Sequence, residues 1–290
     1  MDYPLFFNPE IFQKQKVTEP FHNTFSCFEV KEKMGLTFLL NPALVPYQGF
    51  IAQPDDSSNT YTAYSFYKKS IDAFCNELPK FDALILTLDP MVKYILPFIW
   101  QGFEVKTRYT FKLDLQIENL QSNYKESLKR EIRKAEKSIT IESSDAIDEL
   151  FLLKQLNQKA LKSPLDFDLQ YLKDFYFRFK SHNAGALVLA KIEEQVIGAL
   201  FYVWNEKSAY YLAGAVHPDY RNSGALSLLL NEAITKSKVT SQYFDFEGSM
   251  EAGIARYFAS FGAQAEPFYQ IEKYPNKIAE AALKAKKMLG

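Results

Sequence analysis

Three apolar segments in the second half of the chain are separated by short polar breaks. The segments cover residues 186–192, 195–204 and 208–216, and the breaks are residues 193–194 and 205–207. Apolar runs of this length, bounded by polar and turn-forming residues, are typical of β-strands. The pattern therefore predicts three consecutive antiparallel strands.

A polar loop, a helix, a strand and a second helix follow these strands. The loop contains Arg221 and Gly224, and leucines at helical spacing occupy residues 226–234. A strand is predicted at 243–247, and the helix after it ends near Gly262. A loop that opens a helix can bind an anionic donor, because the free N–H groups of the helix point toward it. This stretch is the first candidate for chemistry.

The remainder of the chain alternates helical and extended patterns. Loops are predicted at 41–48 and 53–59, where proline and polar residues accumulate. The predicted helices lie at 61–78, 91–101, 123–137, 144–163, 168–181 and 276–288, and the predicted strands at 25–30, 36–40, 83–88, 105–114 and 139–142. This mixture predicts an α+β (mixed α/β) fold.

Composition and charge exclude several classes of protein. Of 290 residues, 47% are hydrophobic and 24% charged, and the net charge of -1 argues against a dedicated nucleic-acid-binding protein. The two cysteines and three histidines show no metal-ligand spacing, and no apolar segment is long enough to span a membrane. We expect a cytoplasmic protein with no metal and no membrane span, and the oligomeric state stays open.

An internal repeat relates two parts of the chain. Aligning 83–111 with 243–271 places strand over strand and helix over helix. The identical residues are Phe98 and Phe258, Gly102 and Gly262, and Tyr109 and Tyr269. We predict a duplicated fold with two lobes, 1–115 and 116–290, each a mixed, mostly antiparallel sheet flanked by helices.

The two copies of the repeat differ in their chemistry. The first has Ile85 and Thr87 where the second has Asp245 and Glu247. The period of two in a strand places both carboxylates on one side, where they push their pKa values apart. Either could accept a proton from an attacking amine, so the chemistry is expected in the C-terminal lobe. Alternatively, Asp245 pairs with an arginine or caps a turn, and Glu247 is solvated.

The loop after the third apolar segment resembles the acyl-CoA loop of GNAT N-acyltransferases. The matching residues are Val216, Pro218, Tyr220, Arg221 and Gly224, whereas Leu226 replaces a small residue of the pattern. The resemblance implies that an acyl-CoA such as acetyl-CoA is bound by Val216, Arg221, Asn222, Ser223, Gly224 and Ala225. The alternative is an ordinary turn between a strand and a helix.

Four further segments resemble the FemAB-like branch of the same superfamily, whose members carry two GNAT-like lobes in tandem. They are 98–115, 128–137, 244–249 and 253–263, and they occur in the expected order. Characterised members transfer an amino acid from aminoacyl-tRNA to a peptidoglycan precursor. The resemblance implies an aminoacyl-tRNA donor, tRNA as a possible partner, and an amine acceptor that is a small molecule or a cell-wall precursor.

One residue departs from both family patterns. Phe258 stands where FemAB-like enzymes often have a lysine thought to stabilise the oxyanion, and where GNAT enzymes often place a tyrosine acid. Its neighbour Tyr257 is a candidate proton donor to the leaving group. Tyr211, Arg256 and Arg133 are candidates for substrate contacts. The basic helix that carries Arg133 is equally consistent with a solvated helix containing internal ion pairs.

Two functions are consistent with these features. The first is an acyltransferase that moves an acyl group from acyl-CoA, or an aminoacyl group from aminoacyl-tRNA, to an amine. The second is a catalytically degenerate GNAT-like protein that binds a ligand or partner, which the residues at positions 226 and 258 favour.

Overall fold

The computed structural model describes residues 4–12, 19, 23–54, 59–161 and 165–289. The end of the helix predicted at 144–163 and most of the loop predicted at 53–59 lie outside these residues. The chain forms two compact units. We call Met1–Arg108 with Pro267–Gly290 the terminal unit, and Tyr109–Glu266 the central unit.

Twelve strands and eight α-helices occur in the described residues. The strands are β1 (Thr24–Cys27), β2 (Glu29–Lys33), β3 (Leu36–Leu40), β4 (Gly49–Ala52), β5 (Ala83–Thr87), β6 (Glu104–Asp114), β7 (Thr140–Ser144), β8 (Gly185–Ile192), β9 (Gln195–Trp204), β10 (Ser208–Val216), β11 (Tyr243–Asp245) and β12 (Gln264–Lys273). The helices are α1 (Thr60–Glu77), α2 (Leu96–Trp100), α3 (Glu126–Ala135), α4 (Ile147–Leu161), α5 (Leu169–Ser181), α6 (Ala225–Ser237), α7 (Ala252–Ala259) and α8 (Lys277–Leu289).

The terminal unit contains a mixed sheet in the order β2-β3-β5-β12. Strand β3 runs parallel to β5, and the other neighbouring pairs are antiparallel. Three of the five residues of β5 are buried, and Ile85 and Thr87 are partly buried. Asn59 caps the N-terminus of helix α1. Its side chain accepts a hydrogen bond of 2.9 Å from the N–H of Thr62, which satisfies one free donor of the first turn.

The central unit contains the sheet β6-β11-β10-β9-β8-β7. Strands β8, β9 and β10 are antiparallel neighbours, so the three predicted strands are confirmed. Leu200 and Tyr202 of β9 join the core formed with α3 and α6, whereas Phe201 packs against aromatic residues of α5. Successive side chains of a strand point to opposite faces, so helices cover both faces of this sheet.

Several predicted elements differ from the observed ones. The strand predicted at 25–30 is two strands, because β1 pairs with β4 while β2 pairs with β3. The helix predicted at 91–101 is only α2, with Pro97 in its first turn, where a proline is best tolerated. The short strand β4 was missed, and the strand predicted at 243–247 ends at Asp245.

The predicted fold class is confirmed, because helices flank mixed, mostly antiparallel sheets in both units. The division into lobes 1–115 and 116–290 stays a prediction. In the structure, the segment Pro267–Gly290 groups with the N-terminal part of the chain, and β6 contributes residues to both units.

Candidate active site

Strands β10 and β11 separate after a short parallel pairing. The pairing joins Ser208 to Tyr243, Ala209 to Phe244 and Tyr210 to Asp245, and it ends there. On its other edge, β10 stays paired with β9 as far as Val216, with an irregularity between Tyr211 and Ala213. Beyond Tyr210 this edge of β10 therefore no longer pairs with β11, and a strand N–H that is free of pairing can polarise a carbonyl.

The loop between β10 and α6 is fixed to helix α4 through Asn157. The side-chain N–H of Asn157 donates a hydrogen bond of 2.9 Å to the carbonyl of Val216. The side-chain oxygen of Asn157 accepts a hydrogen bond of 3.1 Å from the Arg221 guanidinium. Asn222 is exposed, and the Ser223 hydroxyl accepts from the N–H of Ala225 at 3.2 Å. The predicted donor-binding segment is thus one ordered connection, with Arg221 directed toward α4.

Gly224 allows α3 to approach the start of α6 closely. Its φ of 82° lies in the left-handed region, and an added Cβ would lie 3.1 Å from the Cβ of Ala135 and 3.2 Å from the Cγ of Glu131. A side chain here would be strained and crowded. The carboxylate-bearing side chain of Glu131 therefore lies beside the N-terminus of α6.

Asp245 fixes the turn that follows β11. It is fully buried, and its Oδ1 accepts hydrogen bonds from the Thr110 hydroxyl and, at 2.8 Å, from the N–H of Glu247. Glu247 adopts a φ of 60°, which breaks the strand alternation. The hydrogen bonds of Asp245 account for its burial without a catalytic role, although the predicted role stays a prediction.

Glu247 carries a buried oxygen without a partner. The residue as a whole is partly exposed, yet its Oε1 is buried and accepts no hydrogen bond. Burial raises the pKa of Glu247 well above its ordinary range, the charge of Asp245 raises it further, and Lys154 lowers it. Of the predicted catalytic carboxylates, Glu247 is the one with a buried acceptor atom that lacks a hydrogen-bond partner.

Helix α4 contributes two further polar groups to this region. Burial lowers the pKa of Lys154, and the charge of Glu247 opposes that change. Gln158, one turn later on the same face, has a buried Oε1 that also lacks a donor. The hydroxyl of Tyr211 on β10 lies close to Gly214. Burial raises the pKa of Tyr211, and the charge of Glu247 raises it further.

A hydrogen-bond chain connects Tyr257 to α3. The hydroxyl groups of Tyr257 and Ser227 are 2.8 Å apart, and the Ser227 hydroxyl donates to the Oε1 of Glu131 at 2.7 Å. Burial raises the pKa of Tyr257, and the hydrogen bond with Ser227 opposes the change. Tyr257 is therefore neutral near pH 7, and its role as a proton donor stays a prediction.

Phe258 is a core residue. Its ring lies 4.9 Å from that of Phe246, 6.2 Å from Phe111 and 6.4 Å from Tyr211. The position that often carries a lysine or tyrosine in related families is filled here by a buried aromatic cluster. A cation or a hydroxyl at the site must come from another residue.

The two predicted arginine contacts lie on exposed helix surfaces. Arg133 donates to the carbonyl of Lys129 within its own helix at 3.3 Å, and Arg256 is exposed on α7. Their roles stay predictions. The sequence reading missed Lys154, although this lysine is in phase with the buried Ile147 and Leu150 of α4. A lysine on an apolar helix face was the signal that could have identified it.

Comparisons with known proteins relate this arrangement of strands and helices to the GNAT fold. Residues 122–258 match the family model described as an acetyltransferase (GNAT) domain. Among the described residues, no helix is long and apolar enough to cross a membrane.

Solved structures extend the similarity over nearly the whole chain. FemX has a TM-score of 0.66 at 12% identity, covering 96% of this chain and 93% of that chain. L-PGS from Bacillus licheniformis has a TM-score of 0.62 at 11% identity, covering 97% and 90%. A tandem GNAT protein from the clavulanic acid biosynthesis pathway has a TM-score of 0.51 at 8% identity, covering 86% and 78%. A comparison with curated protein sequences gives no match.

These similarities confirm the predicted resemblance to the FemAB-like branch of the GNAT superfamily at the level of the fold. The identities of 8–12% are too low to transfer a donor or an acceptor. The arrangement of particular side chains must therefore carry the argument for function.

Proposed function

We propose that the central unit transfers an acyl group from an activated donor to an amine, in the gap where β10 and β11 separate. The observation that carries this proposal is the buried, unpartnered Oε1 of Glu247. An unsatisfied buried carboxylate oxygen destabilises the fold, so its presence is best explained by a ligand that donates to it. An incoming amine supplies such a donor.

The transfer requires one bond to form and one to break. The amine nitrogen attacks the donor carbonyl carbon, and a C–N bond forms as the C–S bond of a thioester, or the C–O bond of an aminoacyl ester, breaks. Glu247 accepts the proton lost by the amine. Tyr257 donates a proton to the leaving thiolate or alkoxide, and Ser227 orients its hydroxyl.

Two donors satisfy this scheme: an acyl-CoA such as acetyl-CoA, and an aminoacyl-tRNA. The GNAT loop pattern favours acyl-CoA, and the FemAB-like resemblance favours aminoacyl-tRNA. Glu131 bears on the choice, because its side chain lies beside the start of α6 and would repel a pyrophosphate there. An amine of a small molecule or of a cell-wall precursor in the cytoplasm is the proposed acceptor.

Glu247→Gln tests the proposed base. We expect kcat/KM to fall by about 10²–10⁴-fold, the usual contribution of a general base, because the amide cannot accept the proton. Acetyl-CoA and charged tRNA are first titrated by calorimetry to establish the donor, and turnover is then measured with a panel of amines. Glu251→Gln, an exposed residue four positions away, is the matched control.

Turnover by Glu247→Gln equal to that of the parent protein would exclude Glu247 as the base. Tight donor binding with no turnover on the whole amine panel would instead favour a degenerate binding protein. The buried aromatic cluster around Phe258 is the observation on which that second function rests.

A further inference from the structure

The hydrogen-bond chain from Tyr257 to Glu131 has a defined direction. A serine hydroxyl carries one proton, and a carboxylate can only accept. Because Ser227 donates to the Oε1 of Glu131 at 2.7 Å, its oxygen must accept in the 2.8 Å bond with Tyr257. The proton of Tyr257 therefore points toward Ser227. The phenol oxygen keeps only lone pairs, so it can accept a hydrogen bond from a ligand but cannot donate one.

This chain connects a buried phenol to the protein surface. Ser227, in the first turn of α6, is only 1% exposed, whereas Glu131 is exposed on α3. Burial raises the pKa of Tyr257, so the phenol does not hold a negative charge. Tyr257 therefore passes its proton to Ser227 only if it receives another proton at the same time.

Helix α7 places Tyr257 in the region of the candidate base. The ring of its neighbour Phe258 lies 4.9 Å from that of Phe246, the residue before Glu247. The rings of Tyr257 and Phe258 are themselves 6.0 Å apart. The helix that carries Tyr257 thus packs against the turn that carries Glu247.

An amine acceptor must lose two protons in the proposed transfer. A primary alkylamine is an ammonium ion near neutral pH, and its nitrogen then has no lone pair with which to attack. One proton must leave before the attack, and a second must leave as the C–N bond forms. Glu247 is the proposed acceptor of the second proton, so the first requires a different acceptor.

We propose that Glu131 and Ser227 are positioning residues that act through Tyr257 to remove the first proton from the acceptor ammonium. The inference rests on the proposed acyl transfer in the central unit. The ammonium N–H donates to the Tyr257 oxygen, and its proton moves there as the Tyr257 proton moves to Ser227 and the Ser227 proton moves to Glu131. The nitrogen becomes a free amine and Glu131 a neutral acid, and no charge is left on the two hydroxyl groups.

The same transfer reverses the direction of the chain. Glu131 then donates to Ser227, Ser227 donates to Tyr257, and the proton received from nitrogen points into the site. Tyr257 gives this proton to the leaving thiolate or alkoxide, while the protons of Ser227 and Glu131 each move one position back. Glu131 is a carboxylate again, and the second proton of the nitrogen stays on Glu247. Both protons lost by the ammonium are thereby accounted for.

The test compares Glu131→Gln and Ser227→Ala with the control Glu136→Gln, which changes an exposed acid directly after α3. Each variant is assayed with a primary alkylamine and with hydroxylamine, which is a free base near neutral pH. We expect both variants to lower kcat/KM for the alkylamine by about 10²-fold, the lower end of the usual contribution of a positioned proton acceptor. Turnover of hydroxylamine should stay nearly unchanged, because it needs no first deprotonation. The control should keep both activities.

Equal losses for the two amines, in variants that unfold at the same urea concentration as the parent, would overturn the proposal. A second readout is NMR of protein labelled at the tyrosine Cζ, with the Tyr257 resonance assigned by Tyr257→Phe. We expect Glu131→Gln and Ser227→Ala to shift this resonance, since the hydrogen bonding of the phenol changes, and Glu136→Gln to leave it in place. An unchanged resonance in both variants would also overturn the proposal.

The failure of the proposed function gives a different result. A parent protein that turns over no amine overturns the acyl transfer and the proton transfer through Tyr257 together. Full turnover by Glu247→Gln removes only the assigned base. In that case a loss confined to the alkylamine in Glu131→Gln and Ser227→Ala still supports the role of the chain from Tyr257 to Glu131.

Discussion

Single residues at the end of β11 combine strain with burial. Glu247 is a non-glycine residue at a φ of 60°, and the next residue, Gly248, has a φ of 72°. A Cβ on Gly248 would clash with the backbone of Tyr109 and Thr110, so only glycine fits there. Strained residues persist where the surroundings fix them, and they cluster at functional sites. Here Asp245 and the neighbouring strand β6 fix the turn that presents Glu247.

The burial of Glu247 makes the stability of the protein depend on pH. Its pKa in the folded protein lies well above the ordinary value of 4.5. Below the ordinary value, the carboxyl is protonated in both states and contributes nothing. As pH rises through the interval up to the folded pKa, the unfolded chain ionises first and the folded protein loses stability.

We therefore expect Glu247→Gln to differ from the parent protein in a pH-dependent way. The two should have similar free energies of unfolding below about pH 4.5, apart from a constant offset. At higher pH the variant should become relatively more stable, by about 1.4 kcal/mol for each unit by which the folded pKa is raised. Urea unfolding at a series of pH values measures this, and a difference independent of pH would contradict it.

Two antiparallel strand pairs, one in each unit, have the same residue register when they are compared through the predicted repeat. In the terminal unit β5 pairs with β12, and in the central unit β11 pairs with β6. The repeat relates residues that are 160 positions apart. It places Leu84 on Phe244 and Lys273 on Leu113, and the strand partners Leu84–Lys273 correspond to the strand partners Phe244–Leu113. In the same way, the partners Ile85–Glu272 correspond to Asp245–Lys112. This correspondence supports the predicted duplication, because the pairing of β5 with β12 has the same register as the pairing of β11 with β6.

The helices of the two copies offer a matched pair of substitutions. Gly102 and Gly262 follow α2 and α7 with φ values of 79° and 80°. An added Cβ at Gly102 meets nothing within 4 Å, whereas at Gly262 it would lie 2.8 Å from the Cβ of Asn123. Alanine at either position pays the cost of left-handed backbone, about 1–2 kcal/mol.

We expect Gly262→Ala to destabilise its unit more than Gly102→Ala does, by about 1–3 kcal/mol for the added crowding. Amide hydrogen exchange in α2 and α7, read by mass spectrometry, measures each unit separately. If both substitutions lower the free energy of unfolding equally, Asn123 moves away from the added methyl group without destabilising its unit.

At the scale of the whole molecule, the boundary between Arg108 and Tyr109 falls inside strand β6. Strand β6 begins in the terminal unit, and its last residues pair with β11 beside the candidate base. Phe111 and Leu113 of β6 belong to the core of the central unit, and Thr110 bonds to Asp245. The site in the central unit therefore depends on a strand that begins before the predicted boundary at 115/116.

Two fragments that differ only in β6 test this dependence. We expect residues 104–266 to fold cooperatively and residues 116–266 to fail, because the shorter fragment leaves β11 without its antiparallel partner and Asp245 without Thr110. Leaving a buried carboxylate with fewer partners costs about 1–3 kcal/mol before any lost packing is counted. Circular dichroism with urea unfolding distinguishes the outcomes, and cooperative folding of the shorter fragment would contradict the expectation.

Local features of the sequence determined most elements of this fold. Apolar runs with polar breaks predicted β8, β9 and β10, and helical spacing predicted α1 and α5, because side-chain periodicity depends on neighbours within a few residues. The loop from Val216 to Gly224 was recognisable from its resemblance to the GNAT acyl-CoA loop, and Asp245 and Glu247 from the comparison of the two repeat copies. The short elements α2 and β4 were less predictable, since their ends depend on proline and on distant pairing partners.

The tertiary structure alone decided which of these residues could act. Asp245 and Glu247 look equivalent as neighbouring acids, yet Thr110 and a backbone N–H occupy the first, while the second keeps a buried oxygen without a partner. The Tyr257–Ser227–Glu131 chain joins side chains of α7, α6 and α3, which are tens of residues apart in the sequence. Desolvation and charge interactions act through space, so no pattern along the chain specifies them. The sequence determined that an acid follows β11 at position 247, and the turn fixed by Asp245 decided that one of its oxygens is buried without a partner.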